Sequence, residues 1–301
     1  EVFYYRKQHE HLKTLADYVI AQHFPHLREA DEQYARFFTE VVERTAQLIA
    51  QWQAVGWAHG VMNTDNMSIL GFTLDYGPYG FMDDYDAGFI CNHSDHNGRY
   101  AFNQQPFIGL WNLSCLAQAL LPLAEKEALK AGLDLYTPRF EREYLRRMRD
   151  KFGLVTEKPE DDELIRDFLA LLQGNQADYT IAFRELGVFS TVEGVPNEKL
   201  RDHFLDRTRF DEWAARYRNR LKSEDSDDSE RRIRMDGVNP KYVLRNYLAQ
   251  TAIEKAQQKD FSEIDRLFRL LQDPFTDQPG MEAYALPPPN WGKHLAVSCS
   301  S

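Results

Sequence analysis

Apolar residues recur three and four positions apart through almost the whole chain, which places them on one side of a helix and on no consistent side of a strand. Leu12, Leu15, Ala16, Val19 and Ile20 form a first stripe, stopped by Pro25. Tyr34, Phe37, Phe38, Val41, Val42, Leu48, Ile49 and Trp52 form a longer one; Asp31 can cap its start, and Gly56 stands where a left-handed C-cap belongs. The pattern resumes after residue 105 with Leu110, Leu113, Leu116, Ala117 and Leu120. Thr137-Pro138 and Asn239-Pro240 each read as a cap with proline at the first helical position. A chain so patterned folds as packed helices, and its 43% hydrophobic content is enough for a large core.

Between residues 59 and 105 the helical period is lost. "MSIL" and "FTL" are two short apolar runs joined at Gly71, a hairpin signal over about 67–74. The stretch from Asp75 to about Gln105 is rich in Gly, Asn, Asp and Tyr and reads as a long loop, a kind of segment that often carries function. The net charge of −11 repels phosphate backbones and anionic lipid, so neither nucleic acid nor a membrane is an expected partner. No apolar run approaches the length of a membrane span, and no signal peptide opens the sequence. The three cysteines are too few and too scattered for a disulfide framework, which points to a reducing interior.

The hairpin is bracketed by "HGVMNTDN", residues 59–66, and "DYG", residues 75–77. Phosphoryl and nucleotidyl transfer need a divalent cation held by a few hard oxygens. An amide just before a short hairpin and a carboxylate just after it can converge on one ion, which makes Asn66 and Asp75 candidate ligands for Mg²⁺ and Asp75 a contact to a nucleotide–metal complex. Asp75-Tyr76-Gly77 has the form of the protein-kinase metal triplet. A kinase loop, however, carries its catalytic Asp five positions before the paired Asn, and that position is Val61. If the site has a base, Asp65 is the candidate by elimination. His59 reads as a structural anchor of the loop. The sequence has no Gly-rich phosphate loop, no Val-Ala-Ile-Lys strand and no room upstream for a five-stranded lobe, and it begins without Met. The expectation is a C-terminal piece that is inactive alone.

"GWAHGVMNTDNMSILGFTLDYGPYGFMDDYD" (56–86), "CNHSDHNGRYAFNQQP" (91–106), "GLWNL" (109–113), "NPKYVLRNYLAQ" (239–250) and the Cys-Ser-Ser ending together resemble the selenoprotein O family of protein adenylyltransferases, kinase-fold enzymes first classed as pseudokinases. The resemblance runs from end to end. It implies a mainly α fold: a kinase-like C-lobe over 1–155, then a helical extension over 156–301; within the extension the acidic run at 223–230 reads as a solvated loop, and "PPPNW" starts an extended tail over 287–301. It implies transfer of AMP from ATP, or UMP from UTP, to protein hydroxyls, with Asp65 as base and Asn66 and Asp75 on Mg²⁺ or Mn²⁺. The resemblance also implies a nucleotide flipped relative to kinases, which would make the missing aspartate less damaging. Location would be cytoplasmic in a bacterium and mitochondrial in a eukaryote. The family often ends in selenocysteine-Ser-Ser, where this chain has Cys299, which makes Cys299 and Cys91, in the loop after Asp75, candidates for a regulatory disulfide; two unrelated free thiols are the alternative. The alternatives are a γ-phosphotransferase of the kinase type and a non-catalytic helical binding or regulatory module.

Three further clusters invite a function. Cys91, His93, Asp95 and His96 have zinc-like types, but no second ligand pair follows, and a hydrogen-bonded loop is the expectation. Asp83, Asp84 and Asp86 read as a solvated charge cluster close enough to tune a cation. Tyr76 and Tyr79 are hydroxyls that could accept AMP in self-modification.

Overall fold

The computed structural model describes residues 2–298. The chain is mainly helical with one small antiparallel sheet. In chain order the elements are α1 (Val2–Tyr5), α2 (His9–His23), α3 (Gln33–Val55), β1 (Trp57–Ala58), β2 (Gly80–Phe81), α4 (Gln105–Leu120), α5 (Lys126–Asp134) and α6 (Tyr136–Lys151). There follow α7 (Asp161–Asn175), α8 (Tyr179–Leu186), α9 (Glu198–Arg201), α10 (Arg207–Lys222), α11 (Asp228–Asp236), α12 (Asn246–Gln257) and α13 (Ser262–Gln272). Among the described residues no helix is long and apolar enough to cross a membrane.

The apolar stripes meet in two main cores. Ile20, Phe24, Phe37, Phe38, Val42 and Ile49 from α2, α3 and the turn between them pack with Ile108, Leu113 and Leu120 of α4 and Leu129 of α5. Phe152, Phe168, Phe183, Trp213 and Tyr217 build the second, almost wholly aromatic at its centre, with rings 4.6–6.3 Å apart. The changeover falls along α6, since Tyr136 at its start belongs to the first core and Met148 near its end to the second. The sequence places the division later, at 155. Helix α3 packs along α6, so the two halves share a spine.

The 67–74 hairpin is closed by a single antiparallel bridge between Met67 and Thr73. The paired strands lie outside it: Trp57 faces Phe81 and Ala58 faces Gly80. The reason is local. Gly56 ends α3 at φ +68°, where a Cβ would meet the Tyr179 ring at 2.8 Å, and the chain leaves the helix extended against the segment that follows Asp75.

Four readings are corrected. Thr137 is not a cap and Pro138 is not at the first helical position, because α6 starts at Tyr136 after Leu135. No side-chain cap starts α3: Glu32, in a left-handed conformation, precedes it, so Asp31 is not its cap. Asn239-Pro240 starts no helix, because the Asn239 amide is buried and donates to the Lys151 carbonyl at 2.9 Å, and α12 begins only after Arg245. The acidic run at 223–230 is not a solvated loop throughout. The Glu224 carboxylate accepts from the Val155 and Thr156 amides at 3.1 and 3.2 Å and pairs with the buried Arg220, while Asp227 caps α11 through the Ser229 and Glu230 amides.

Candidate active site

Amide side chains from α4 hold the loop at 59–66 by its backbone. Gln105 is fully buried; its Oε1 accepts from the His59 N–H at 2.8 Å and its Nε2 donates to the Trp57 carbonyl at 3.0 Å. Asn112 Nδ2 donates to the Met62 carbonyl at 3.0 Å, and the Tyr100 hydroxyl donates to Asn63 Oδ1 at 2.5 Å. Gly60, at φ +82°, lets the loop pass where a Cβ would lie 2.7 Å from both the Cys91 sulfur and the Pro78 carbonyl. Buried backbone groups that would otherwise be orphaned are thus paired, and this gives an irregular loop one conformation.

His59 is fully buried and ties the loop to the end of the hairpin. Its Nε2–H donates to the Leu74 carbonyl at 2.9 Å, which leaves Nδ1 to accept from the Val61 N–H at 3.3 Å. Burial pushes its pKa down, against the smaller opposing pull of the Leu74 carbonyl and the Asp75 charge, so the imidazole is held neutral. That is the structural anchor expected from the sequence.

Asn66 and Asp75 lie at the open end of the hairpin. Asn66 ends a short 3-10 turn, Thr64–Asn66, that also carries Asp65, and Asp75 follows Leu74, whose carbonyl His59 holds. Asn66 Nδ2 donates to the Val61 carbonyl at 3.0 Å, so the amide is oriented and its oxygen is left as the acceptor. Val61 stands where a kinase has its catalytic aspartate and still supplies this carbonyl. Asp75 adopts a left-handed conformation at φ +56°, a strained choice for a non-glycine residue, and Gly77 N–H closes on its carbonyl at 2.8 Å. Among the described residues the carboxylates of Asp65 and Asp75 have neither a hydrogen-bond donor nor an ion-pair partner. Asp65 sits on the rim of a cavity of about 310 Å³ between α3, the loop and α4. One oriented amide oxygen and one free carboxylate are ligands that suit Mg²⁺ or Mn²⁺.

The other candidates fall elsewhere. Cys91 is buried, its thiol donates to the Ala58 carbonyl at 3.5 Å, and burial raises its pKa to about 12. Cys299 lies outside the described residues. The tail does reach this loop, for the His93 N–H donates to the Val297 carbonyl at 2.7 Å. Among the described residues no group of three or more His, Cys, Asp or Glu side chains is placed to hold a metal, and Asp95 instead closes its own loop on the Arg99 and Tyr100 amides. Asp83, Asp84 and Asp86 are a correction in part: each has a partner, although Asp86 stays exposed. Asp83 pairs with Arg245, Asp84 with Lys293 at 3.1 Å, and Asp86 with the Gly88 amide at 2.8 Å. Tyr76 and Tyr79 pack edge to face 5.4 Å apart, with Tyr79 against Trp57. Gln105, Asn112 and Arg245 were not singled out from the sequence, although each lies in a segment that carries the family resemblance.

Residues 1–272 match the family model described as Protein adenylyltransferase SelO. The chain belongs to the SelO family. It is 58% identical over 301 residues to the protein nucleotidyltransferase YdiU of Myxococcus xanthus (strain DK1622). It is 53% identical over 302 residues to the protein of that name from Herminiimonas arsenicoxydans, and 55% identical over 304 residues to the one from Thiobacillus denitrificans (strain ATCC 25259 / T1). Each match takes in the whole of this chain, which spans 62%, 60% and 62% of those relatives' lengths. Within the SelO match lie Asp65, Asn66, Asp75 and the Arg245 pairing, while residues 273–301 follow it.

Proposed function

We propose that this chain supplies the helical, metal-binding half of a protein nucleotidyltransferase that moves AMP from ATP, or UMP from UTP, onto serine, threonine or tyrosine hydroxyls of proteins. The observation that supports the reading is an oriented amide at Asn66 just before a bridge-closed hairpin and a carboxylate without a hydrogen-bond donor at Asp75 just after it, with Asp65 next to Asn66 in the chain. Membership of the SelO family and the nucleotidyltransferase names of the relatives support it.

Asn66 and Asp75 would hold Mg²⁺ or Mn²⁺, which when bound neutralises the phosphate oxygens. Asp65 would take the proton of the acceptor hydroxyl as its oxygen forms a bond to the α-phosphorus. The α–β phosphoanhydride bond breaks, and pyrophosphate leaves with the bond's electron pair. The Asn66–Val61 hydrogen bond engages the amide nitrogen and would leave the amide oxygen available to the cation. The His59–Leu74 bond fixes the backbone from which Asp75 springs.

The test is transfer of α-labelled ATP to protein by the complete polypeptide with Mg²⁺ or Mn²⁺. Asp65→Ala and Asp75→Ala are expected to lose transfer by about a hundredfold or more, the scale of a lost base or a lost charge-stabilising group. Wild-type transfer by the Asp75 variant would remove the metal assignment.

A further inference from the structure

We infer that Arg245 is a positioning residue for the candidate site: from the C-terminal extension it clamps the segment that follows Asp75 and so sets where that carboxylate stands. The inference rests on the nucleotidyltransferase reading for its functional consequence and on geometry for the clamp itself.

Arg245 is 1% exposed and immediately precedes α12. Its guanidinium bonds Asp83, eight positions after Asp75 in the sequence, and Asp178, the N-cap of α8, with contacts to the two Asp178 oxygens at 3.1 and 2.8 Å. The planar fork suits this task, because one buried cation neutralises two neighbouring carboxylates, of which Asp178 is itself buried. The backbone follows the same seam: Tyr179 N–H donates to the Asp83 carbonyl at 2.8 Å and Tyr85 N–H to the Ala177 carbonyl at 2.9 Å. One residue before Asp83, Met82 N–H donates to the Gly56 carbonyl at 2.8 Å, and β2 then pairs with β1. From β1 the chain enters His59, whose ring holds Leu74. Asp75 is thus fixed from both sides, by His59 through Leu74 and by Arg245 through Asp83.

The extension grips this segment at other points too. Asn246 lies where a Cβ on Gly80 would come within 3.2 Å of its amide nitrogen, Lys293 bonds Asp84 at 3.1 Å, and the Val297 carbonyl accepts from His93. All of these contacts fall on the stretch between the metal triplet and α4. A free loop in that place would leave the left-handed Asp75 held only from the Leu74 side and by the Gly77 N–H on its own carbonyl.

Arg245→Lys tests the inference, since lysine keeps the charge but cannot bridge both carboxylates in a plane. Hydrogen exchange in this chain should rise about tenfold or more at the Met82 and Tyr179 amides and stay at wild type through α7 and α10. In the complete polypeptide the Mn²⁺ concentration for half-maximal transfer should rise about tenfold or more, while the KM for the acceptor protein stays the same. Unchanged exchange at Met82 and Tyr179 in a folded variant, or an equal rise through α7 and α10, overturns the clamp. An unchanged Mn²⁺ requirement overturns its link to the site. Should Arg245→Lys fail to fold, Asp83→Asn, which keeps the Arg245–Asp178 pair, is read at the same amides with the same outcomes. If the wild type transfers no nucleotide, the nucleotidyltransferase reading fails while the exchange measurement still decides the clamp.

Discussion

Replacing His59 with phenylalanine should separate what the imidazole does by packing from what it does by hydrogen bonding. The ring lies against Trp52 and Trp57 at centroid distances of 5.4 and 5.6 Å, so a phenyl ring keeps that contact. It cannot donate to the Leu74 carbonyl or accept from the Val61 N–H. A buried polar group left without a partner costs about 1–3 kcal/mol, and Leu74 is exposed enough for water to replace part of one bond, so the loss should be about 2–3 kcal/mol at pH 7.5. Urea unfolding at constant m-value measures it. The pH dependence gives an independent sign. Burial lowers the folded-state pKa of His59 below the 6.5 of an exposed imidazole. Below 6.5 the unfolded chain therefore binds a proton that the native state refuses. The wild type should lose up to about 1.4 kcal/mol per pH unit from this group as pH falls from 6.5 to the folded value, and no more below it. The difference between the two proteins isolates His59. The gap between wild type and His59→Phe should narrow on acidification. A variant within about 0.5 kcal/mol of wild type at pH 7.5, or one whose deficit is the same at pH 5, would refute the reasoning.

Lys151 is buried in the second core, its ammonium 4.1 Å from the Phe183 ring centre and 5.1 Å from that of Tyr179, and burial lowers its pKa from 10.5 to about 7. That drop corresponds to a cost on the order of 5 kcal/mol for holding the charged form at or below neutral pH, of which cation–π attraction returns about 2. Lys151→Met should therefore stabilise the protein by about 3 kcal/mol at pH 6, and the gain should shrink as pH rises through 7 toward 10.5; equal stability at both ends, measured by urea unfolding, would contradict it. Gly109 has no room for a side chain, since a Cβ would lie 2.2 Å from Ile49 Cδ1 and 2.7 Å from the Tyr136 hydroxyl. Gly109→Ala should cost about 1–3 kcal/mol by overpacking the contact between α3, α4 and α6, seen as a lower melting temperature.

The helices and the hairpin ends were legible because they are written in neighbouring residues: stripes at helical spacing, Gly56 as a C-cap, an amide and a carboxylate either side of Gly71. The same holds for His59 as an anchor. What was not legible depends on partners far away in the chain. Asp83 and Arg245 are 162 positions apart, and nothing local to "DDYD" tells a paired carboxylate from a solvated one. Asn239-Pro240 has the residues of a helix start, yet its amide is captured by the Lys151 carbonyl 88 positions earlier. Glu224 sits in an acidic run and is claimed by the backbone at 155–156. In each case tertiary hydrogen bonding overrode a local preference.

The site's identity turns on which phosphorus is attacked. ATP labelled at the α-phosphate and ATP labelled at the γ-phosphate, given in parallel to the complete polypeptide with Mn²⁺ and an acceptor protein, decide it. The account predicts α-label on a protein hydroxyl and γ-label released in pyrophosphate, with both signals lost in Asp75→Ala. Retention of γ-label on the acceptor would contradict it.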